Sequence, residues 1–296
     1  MTIAACYLST EGVVLGADST ATMFVQGPPA NPLGSFHHYN FAQKVFELGE
    51  QDATAGVVLW GLGSLGDKSY RTLFAEIADE GSKMTSLADI ANLAAARFWA
   101  QYSATFGLLL LRVRDLLDKN QNRTPDEEKE YLGLMQNLSG GFCVGGRWRD
   151  NRSPAAFEVL FSPASADAPQ PRQLQLGSRF WGWSNLIERL VFGMDEQLYL
   201  RIEKSGKWNG TPEELIDLVS QGALAQPQDL PLREAIDWIY ASIYTTIKSV
   251  KFSHLAPVCG GPIEVAVVTS DRPFRWVRHK RLGEAISAHQ TQEGKP

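Results

Sequence analysis

Cysteine is scarce in this chain of 296 residues. Its three cysteines, at positions 6, 143 and 259, are too scattered for a disulfide framework or a metal-binding cluster. The 28 Lys and Arg residues are outnumbered by 33 Asp and Glu, which gives a formal net charge of −5. A mildly acidic chain is not typical of nucleic-acid binding. We therefore expect no metal, no cofactor and no nucleic-acid partner.

Long apolar runs are also missing. The run Phe106–Leu111, within the most apolar stretch of the middle region, is too short to cross a bilayer. Residues 1–20 lack the basic start of a signal peptide and contain Glu11 and Asp18. These absences predict a cytoplasmic protein without a membrane partner.

Neither a linker nor an internal repeat divides the chain. The chain is long enough, and with 44% apolar residues apolar enough, to bury one large core. We expect a single domain over residues 1–286 and a polar tail at 287–296. Within the domain, residues 23–40 carry Gly27, Pro28 and Pro29 and read as an extended loop. His37 and His38 in that loop lack a third ligand at a useful spacing, which favours an exposed aromatic loop over a metal site.

The start of the chain is its most informative feature. Removal of Met1 would leave Thr2 with a hydroxyl and a free α-amine on one residue. An α-amine has a pKa of about 8 and can take the proton of an aliphatic hydroxyl, which is otherwise a poor nucleophile at neutral pH. Most chains that begin Met-Thr have no such chemistry, so the interpretation depends on the residues that follow.

A β-hairpin follows at once. Residues 2–8 are mostly apolar, residues 9–12 read as a turn, and residues 13–19 form a second apolar run. A turn centred there pairs positions whose numbers add up to roughly 21 to 23, which places Asp18 close to Thr2. The Asp18 carboxylate could orient a cation or the terminal amine, and the alternative is an ordinary aspartate at a strand end.

These residues resemble a known family. The opening Thr2-Ile3-Ala4 and the run from Glu11 to Thr22 are similar to the opening of proteasome β-subunits and of their bacterial relative HslV, which are N-terminal-nucleophile hydrolases. One departure is Thr20, which stands where the family has arginine. The resemblance implies an α+β fold in which two antiparallel sheets stack face to face with helices outside, a four-layer αββα sandwich.

The resemblance also implies a buried lysine beside the nucleophile. Lys44, between apolar neighbours in the segment 41–48, is the matching position. A desolvated ammonium near Thr2 would lower the cost of forming an alkoxide, and Asp18 would hold it in place. The alternative is a lysine on an edge strand whose ammonium reaches solvent.

A glycine-rich turn lies at Gly61–Gly66, after an apolar strand and before a helix. It matches G-x-G-x-x-G, yet a dinucleotide-binding unit needs another strand after the helix, and here a second helix starts near Ser86. The resemblance instead implies that the Gly63 N–H stabilises an oxyanion, with Asp67 at the matching helix position. Beyond it we predict a helix over 87–117, another after the N-cap Thr124, strands at 140–148 and 156–163, and a helix from Leu186.

Later positions depart from the family. The family's Gly-Ser-Gly is replaced here by Gly-Trp-Ser, so Trp183 stands where the assisting serine is expected, and Ser184 or Ser178 could replace it. Before the final Gly-Gly strand, Ala256 and Cys259 stand where the family has Asp and Ser, which normally orient the α-amine. Cys259 itself could be a nucleophile only with His254 as its base, and a buried structural thiol is the alternative we favour.

The main functional hypothesis is a self-compartmentalised threonine peptidase. The resemblance implies a catalytic set of Thr2, Asp18, Lys44, Gly63 and Ser184, a peptide or unfolded-protein substrate, stacked homo-oligomeric rings and a ring ATPase partner. Two alternatives stay open. One is an amidase that uses the same nucleophile on small amides, because the fold does not choose the acyl substrate. The other is a non-catalytic ring subunit.

Overall fold

The protein has an α+β fold with two five-stranded antiparallel sheets. The computed structural model describes residues 2–25, 35–49, 53–63, 65, 68–148, 151–221, 223–224, 229–254 and 258–280. The strands are β1 (Ile3–Leu8), β2 (Gly12–Ala17), β3 (Ala21–Val25), β4 (Ser35–Tyr39), β5 (Val45–Glu47), β6 (Ala55–Trp60), β7 (Gly140–Gly146), β8 (Ala155–Phe161), β9 (Arg172–Gln173), β10 (Gly177–Gly182), β11 (Glu264–Thr269) and β12 (Arg275–Arg278). The α-helices are α1 (Tyr70–Glu80), α2 (Leu87–Lys119), α3 (Pro125–Leu138), α4 (Asn185–Phe192), α5 (Glu196–Ser205), α6 (Pro212–Ser220) and α7 (Leu232–Lys251).

The first sheet has the strand order β10-β1-β2-β11-β12. Its centre is the predicted hairpin, in which Ala4 pairs with Ala17 and Leu8 with Val13, so paired numbers add up as predicted. The Asp18 N–H donates to the Ile3 carbonyl at 3.1 Å and closes the ladder at the chain start. The hairpin prediction is therefore confirmed.

The second sheet has the strand order β5-β6-β7-β8-β9. The predicted strands at 140–148 and 156–163 are present as β7 and β8, which pair over their whole length. The predicted helices are present too: α2 begins after the N-cap Ser86, and α3 begins after a capping box built on Thr124 and Glu127.

Side chains alternate between two cores along each central strand, as the period of two in a strand requires. Ile3, Ala5 and Tyr7 of β1 pack with α4 and α7, whereas Ala4, Cys6 and Leu8 pack against strands of the second sheet. On the second sheet, alternate residues of β6 and β7 pack on α1 and α2 in a third apolar cluster. The central strands therefore bury side chains on both of their faces.

Two elements differ from the sequence prediction. Helix α7, which is absent from the sequence prediction, buries Ala235, Ile239 and Ile243 against the first sheet, and this spacing of four residues is a helix signal. The region 23–40 begins and ends in the paired strands β3 and β4, because its first and last residues have strand-forming side chains. The Gly-Pro-Pro segment that suggested a loop lies outside the described residues. None of the helices in the described part of the chain is long and apolar enough to cross a membrane.

Candidate active site

Thr2 lies at the open end of the first sheet. It precedes β1, is 5% exposed, and has the same strand parity as Ala4 and Cys6, which face the second sheet. The Thr2 carbonyl accepts a hydrogen bond of 2.7 Å from the Trp183 N–H. The position of the Thr2 backbone is therefore fixed from the β10 side.

Gly182 allows this close approach. Its φ is +80°, and a Cβ added to it would lie 1.9 Å from the Thr2 carbonyl oxygen. Any side chain at this position would thus displace Thr2 or Trp183. The Gly-Trp-Ser motif alone does not indicate this clash, because it arises from the pairing of β1 with β10.

Asp18 is fully buried and accepts four hydrogen bonds. Its Oδ1 accepts from the Ile3 N–H at 3.1 Å and from Lys44 Nζ at 2.6 Å. Its Oδ2 accepts from the N–H groups of Thr20 at 3.1 Å and Gly260 at 2.9 Å. A buried carboxylate is tolerated when its oxygens are satisfied in this way, so Asp18 is held as a fixed anion beside the Thr2–Ile3 peptide.

Lys44 lies inside the molecule, as the apolar residues around it predict. Its side chain is 5% exposed and its ammonium shares an Asp18 oxygen with the Ile3 N–H. Strand β5 begins one residue after Lys44, and the Lys44 carbonyl already accepts a hydrogen bond of 3.0 Å from the Leu59 N–H. The structure therefore joins Asp18 and Lys44 directly and places this pair beside the amide that follows Thr2.

Gly260, in the final Gly-Gly pair, is hydrogen-bonded to both Asp18 and Ser19. The Gly260 carbonyl accepts from the Ser19 N–H at 3.0 Å, while the Gly260 N–H donates to Asp18. Cys259, next to this turn, is 4% exposed, and burial, followed by the charge of Asp18, raises the pKa of its thiol to about 12. A thiol held neutral in this way is a poor nucleophile at neutral pH, which favours the structural interpretation of Cys259. Ala256 lies outside the described residues, and His254 is exposed.

A cleft of about 380 Å³ opens at Thr2. Its lining is mainly apolar or glycine, and consists of Thr2, Trp60, Gly61, Gln136, Ser139, Gly140, Leu160, Phe161 and Gly182. One wall is braced by Trp60, whose ring stacks on Trp181 with centroids 4.4 Å apart and planes 6° apart. Trp181 is held in turn because its Nε1 donates to the buried Glu158 carboxylate at 2.9 Å.

The glycine turn contributes Gly61 to this cleft. Gly61 has φ of +86°, and a Cβ there would lie 2.4 Å from the Gly140 Cα, so only glycine lets the two strand ends meet. Gly63 is exposed, with open space around its Cβ position, and is not among the residues that line the cleft. Its N–H as an oxyanion donor stays a prediction, and Ser64, Gly66 and Asp67 lie outside the described residues.

Neither candidate for the assisting serine is free at the Thr2 hydroxyl. Ser184 directly precedes α4, and its hydroxyl donates to Glu188 Oε1 at 2.6 Å. Ser178 pairs with Tyr7 at the far end of β1, and its hydroxyl accepts from Trp238 Nε1 at 2.9 Å. Ser184 is the nearer of the two to Thr2 along the chain, since it directly follows Trp183, whose N–H donates to the Thr2 carbonyl.

Thr20, which stands in place of the family arginine, is buried and hydrogen-bonded to the side chain of Asn40, with 3.2 Å between Oγ1 and Oδ1. In the described part of the chain, no three His, Cys, Asp or Glu side chains come together to hold a metal ion.

Comparisons with known proteins found similarity among solved structures. No family model matches the chain, and no curated protein matches it. Among solved structures, a Gly-1 mutant of Anbu from Hyphomicrobium sp. strain MC1 is similar, with a TM-score of 0.46 and 13% sequence identity, over 100% of this chain and 98% of that chain. A similarity at this level assigns no function to this chain.

Proposed function

We propose that this protein is a threonine peptidase whose nucleophile is the hydroxyl of Thr2 after removal of Met1. The observation that carries the proposal is the buried Lys44–Asp18 pair. One oxygen of Asp18 accepts hydrogen bonds both from Lys44 and from the Ile3 N–H, the first amide after Thr2, and Thr2 itself lines an apolar cleft. Burial of two charges is costly unless they have strong partners, and this pair is bonded to the amide that directly follows Thr2, the residue with both a nucleophile and a base.

The reaction would proceed by two acyl transfers. The α-amine of Thr2 takes the hydroxyl proton as Oγ1 attacks the peptide carbonyl, and the positive charge of Lys44 lowers the cost of the forming alkoxide. The C–N bond then breaks, and the amine returns the proton to the leaving nitrogen. Water next hydrolyses the ester with the same amine as base, which regenerates Thr2. We assign the oxyanion to the Gly63 N–H, and the assisting hydroxyl to Ser184 once it releases Glu188.

Several wider features belong to the same proposal. The two sheets and their helices would form the four-layer αββα sandwich of the N-terminal-nucleophile hydrolases, as one domain over residues 1–286. The chain would assemble into stacked homo-oligomeric rings in the cytoplasm, enclose its active sites, and receive unfolded substrate from a ring ATPase. The motif resemblance supports these features, and the exposed leucines of α2 support a contact between subunits.

The test is chemical and acts on the chain start. We expect the mass of the native protein to show loss of Met1, and an electrophile that needs both a hydroxyl and a free α-amine to form a ring adduct on Thr2. If Met1 were retained, the Thr2 nitrogen would remain part of a peptide bond, and an amide nitrogen accepts no proton at neutral pH. Thr2→Ala should abolish peptide hydrolysis and adduct formation without altering assembly, whereas the exposed Thr10→Ala should change neither.

The alternatives give different outcomes in the same experiment. A protein that loses Met1 and never forms the adduct would be a non-catalytic subunit, an outcome that the Ser184–Glu188 bond makes worth testing. Adduct formation with cleavage of small amides but not of peptides would identify an amidase. Peptide hydrolysis with Met1 quantitatively retained would contradict Thr2 as the nucleophile.

A further inference from the structure

A second lysine, largely buried, lies beside the Thr2 site. Lys280 follows β12, and its side chain is 9% exposed. Its Nζ donates to the Ala42 carbonyl at 2.8 Å and to Ser19 Oγ at 3.3 Å, and it forms an ion pair of 3.1 Å with Glu264. The Ala42 and Ser19 oxygens accept hydrogen bonds from this ammonium, and Glu264 supplies the opposite charge.

The contacts of Lys280 fall on the two segments that carry the charged pair of the site. Ser19 directly follows Asp18, and Ala42 precedes Lys44 by two residues. These segments also touch directly, because the Ala42 N–H donates to the Ser19 carbonyl at 2.9 Å. One ammonium therefore holds both sides of the Asp18–Lys44 contact.

Glu264 explains why an ammonium can remain in this buried position. Its carboxylate is fully buried at the start of β11, where Glu264 pairs with Ala17, the neighbour of Asp18. It contacts Lys280 and also the His279 ring, with 2.8 Å between Oε1 and Nδ1. Burial lowers the pKa of Lys280, and the charge of Glu264 acts in the opposite direction. Loss of Glu264 would leave an unpaired buried cation, which is strongly unfavourable.

We infer that Lys280 is a positioning residue of the Thr2 site, which fixes the distance between the Asp18 and Lys44 segments from the end of the last described strand. The catalytic part of this inference rests on the proposed function. The clamp itself, meaning the contacts of Lys280 with Ser19, Ala42 and Glu264, can be measured without activity. It assigns a role to Lys280, Glu264, Ser19 and Ala42 that no motif in the sequence indicates. An ordinary ion pair would stabilise the fold as a whole, whereas a clamp acts on one contact.

The decisive measurement is amide hydrogen exchange in the full chain. In Lys280→Met, the N–H groups of Ala42 and Thr20, which border the charged pair, should exchange roughly tenfold faster, the scale of one lost hydrogen bond to a charged group. The N–H of Leu174, bonded to Ala156 at the far edge of the second sheet, should change by less than about twofold. The exposed Lys204→Met is the matched control and should alter none of the three.

A second variant guards against loss of folding. Lys280→Met combined with Glu264→Gln removes both charges, leaves no unpaired buried ion, and should reproduce the local increase in exchange. Unchanged exchange at Ala42 and Thr20 in a folded variant, or an equal increase at Leu174, would overturn the inference.

Activity then links the clamp to catalysis. For peptide hydrolysis we expect kcat to fall roughly tenfold in both variants, with KM within about twofold, because the geometry of the reacting groups changes and the cleft does not. Faster local exchange with a normal kcat would overturn the catalytic meaning of the clamp. A wild-type protein without any peptidase activity, whose variants still show the local exchange pattern, would refute the proposed function and leave the clamp in place.

Discussion

At the scale of single residues, the site depends on charges and backbone groups that have little contact with water. Asp18 satisfies its two oxygens with three backbone N–H groups and one ammonium, and three of these four donors come from other segments of the chain. Removal of one member leaves its partner buried and unpaired, which costs more than the pair itself contributes.

Lys44→Ala should therefore impair both chemistry and folding. The peptidase rate should fall by at least about 10², the usual scale for a group that assists proton transfer or activates a nucleophile. The free energy of unfolding should fall by roughly 3 to 5 kcal/mol, because Asp18 loses its counter-ion. Steady-state kinetics and urea unfolding measure the two effects. A mild loss of rate in the folded variant would mean that Lys44 has no part in the reaction.

Gly182→Ala tests the contact between β10 and Thr2. Gly177 is the matched control, since it lies in the same strand with φ of +110° but has open space around its Cβ position. Both substitutions carry backbone strain of about 1 kcal/mol. Only Gly182→Ala meets the Thr2 carbonyl, and overpacking should add about 1 to 3 kcal/mol and abolish adduct formation on Thr2. Equal unfolding free energies and equal adduct yields in the two variants would count against this account.

At the scale of elements, the ends of β6, β7, β8 and β10 form the apolar cleft beside Thr2. Such a cleft favours substrates that place an apolar side chain next to the scissile bond, because burying a leucine-sized side chain contributes about 1.5 to 3 kcal/mol. A library of peptides that differ only in the residues flanking the cleaved bond would show this preference.

Leu160→Glu on β8 should weaken the preference for apolar side chains without disturbing the core, since Leu160 is 49% exposed. We expect kcat/KM for peptides with apolar residues to fall at least roughly tenfold, in line with the lost burial. Leu176→Glu is the control, because Leu176 is similarly exposed at 41% and does not line the cleft. Loss of activity to the same extent in both variants would show that the cleft does not select the side chain.

At the scale of the whole molecule, apolar side chains remain on the outside of α2. Leu108 is 85% exposed, and Leu111 is 56% exposed on the same helix. Adjacent exposed leucines are typical of a surface that another subunit covers. This surface supports the proposed assembly into rings and does not specify their size.

The double substitution Leu108→Glu and Leu111→Glu should shift the protein to a smaller species in sedimentation velocity, because charges cannot be buried in an apolar contact without partners. Unfolding of the separated subunit should stay close to that of the wild type, since neither side chain is buried in it. As a control, Leu218→Glu, at an equally exposed leucine of α6, should leave the sedimentation coefficient unchanged. The same coefficient in all three proteins would place the subunit contact elsewhere.

The sequence by itself determined the elements whose signals are local. The hairpin of β1 and β2, the caps of α2 and α3, and the burial of Lys44 were predictable because alternation, capping residues and apolar neighbours act over a few positions. The motif at the chain start also placed Asp18 beside Thr2, since a short turn fixes strand register. Helix α7 carried the same kind of local signal and could have been predicted.

Only the tertiary structure decided how distant segments meet at the site. Gly61 and Gly182, rather than Gly63, border the cleft, because each lies where two strand ends approach more closely than a Cβ allows. Lys280 reaches the Asp18–Lys44 pair because β11 and β12 return the chain to the first sheet, and Glu264 then makes its burial tolerable. No local pattern encodes such a contact, since its energy depends on desolvation and on partners that only the packed sheets bring together.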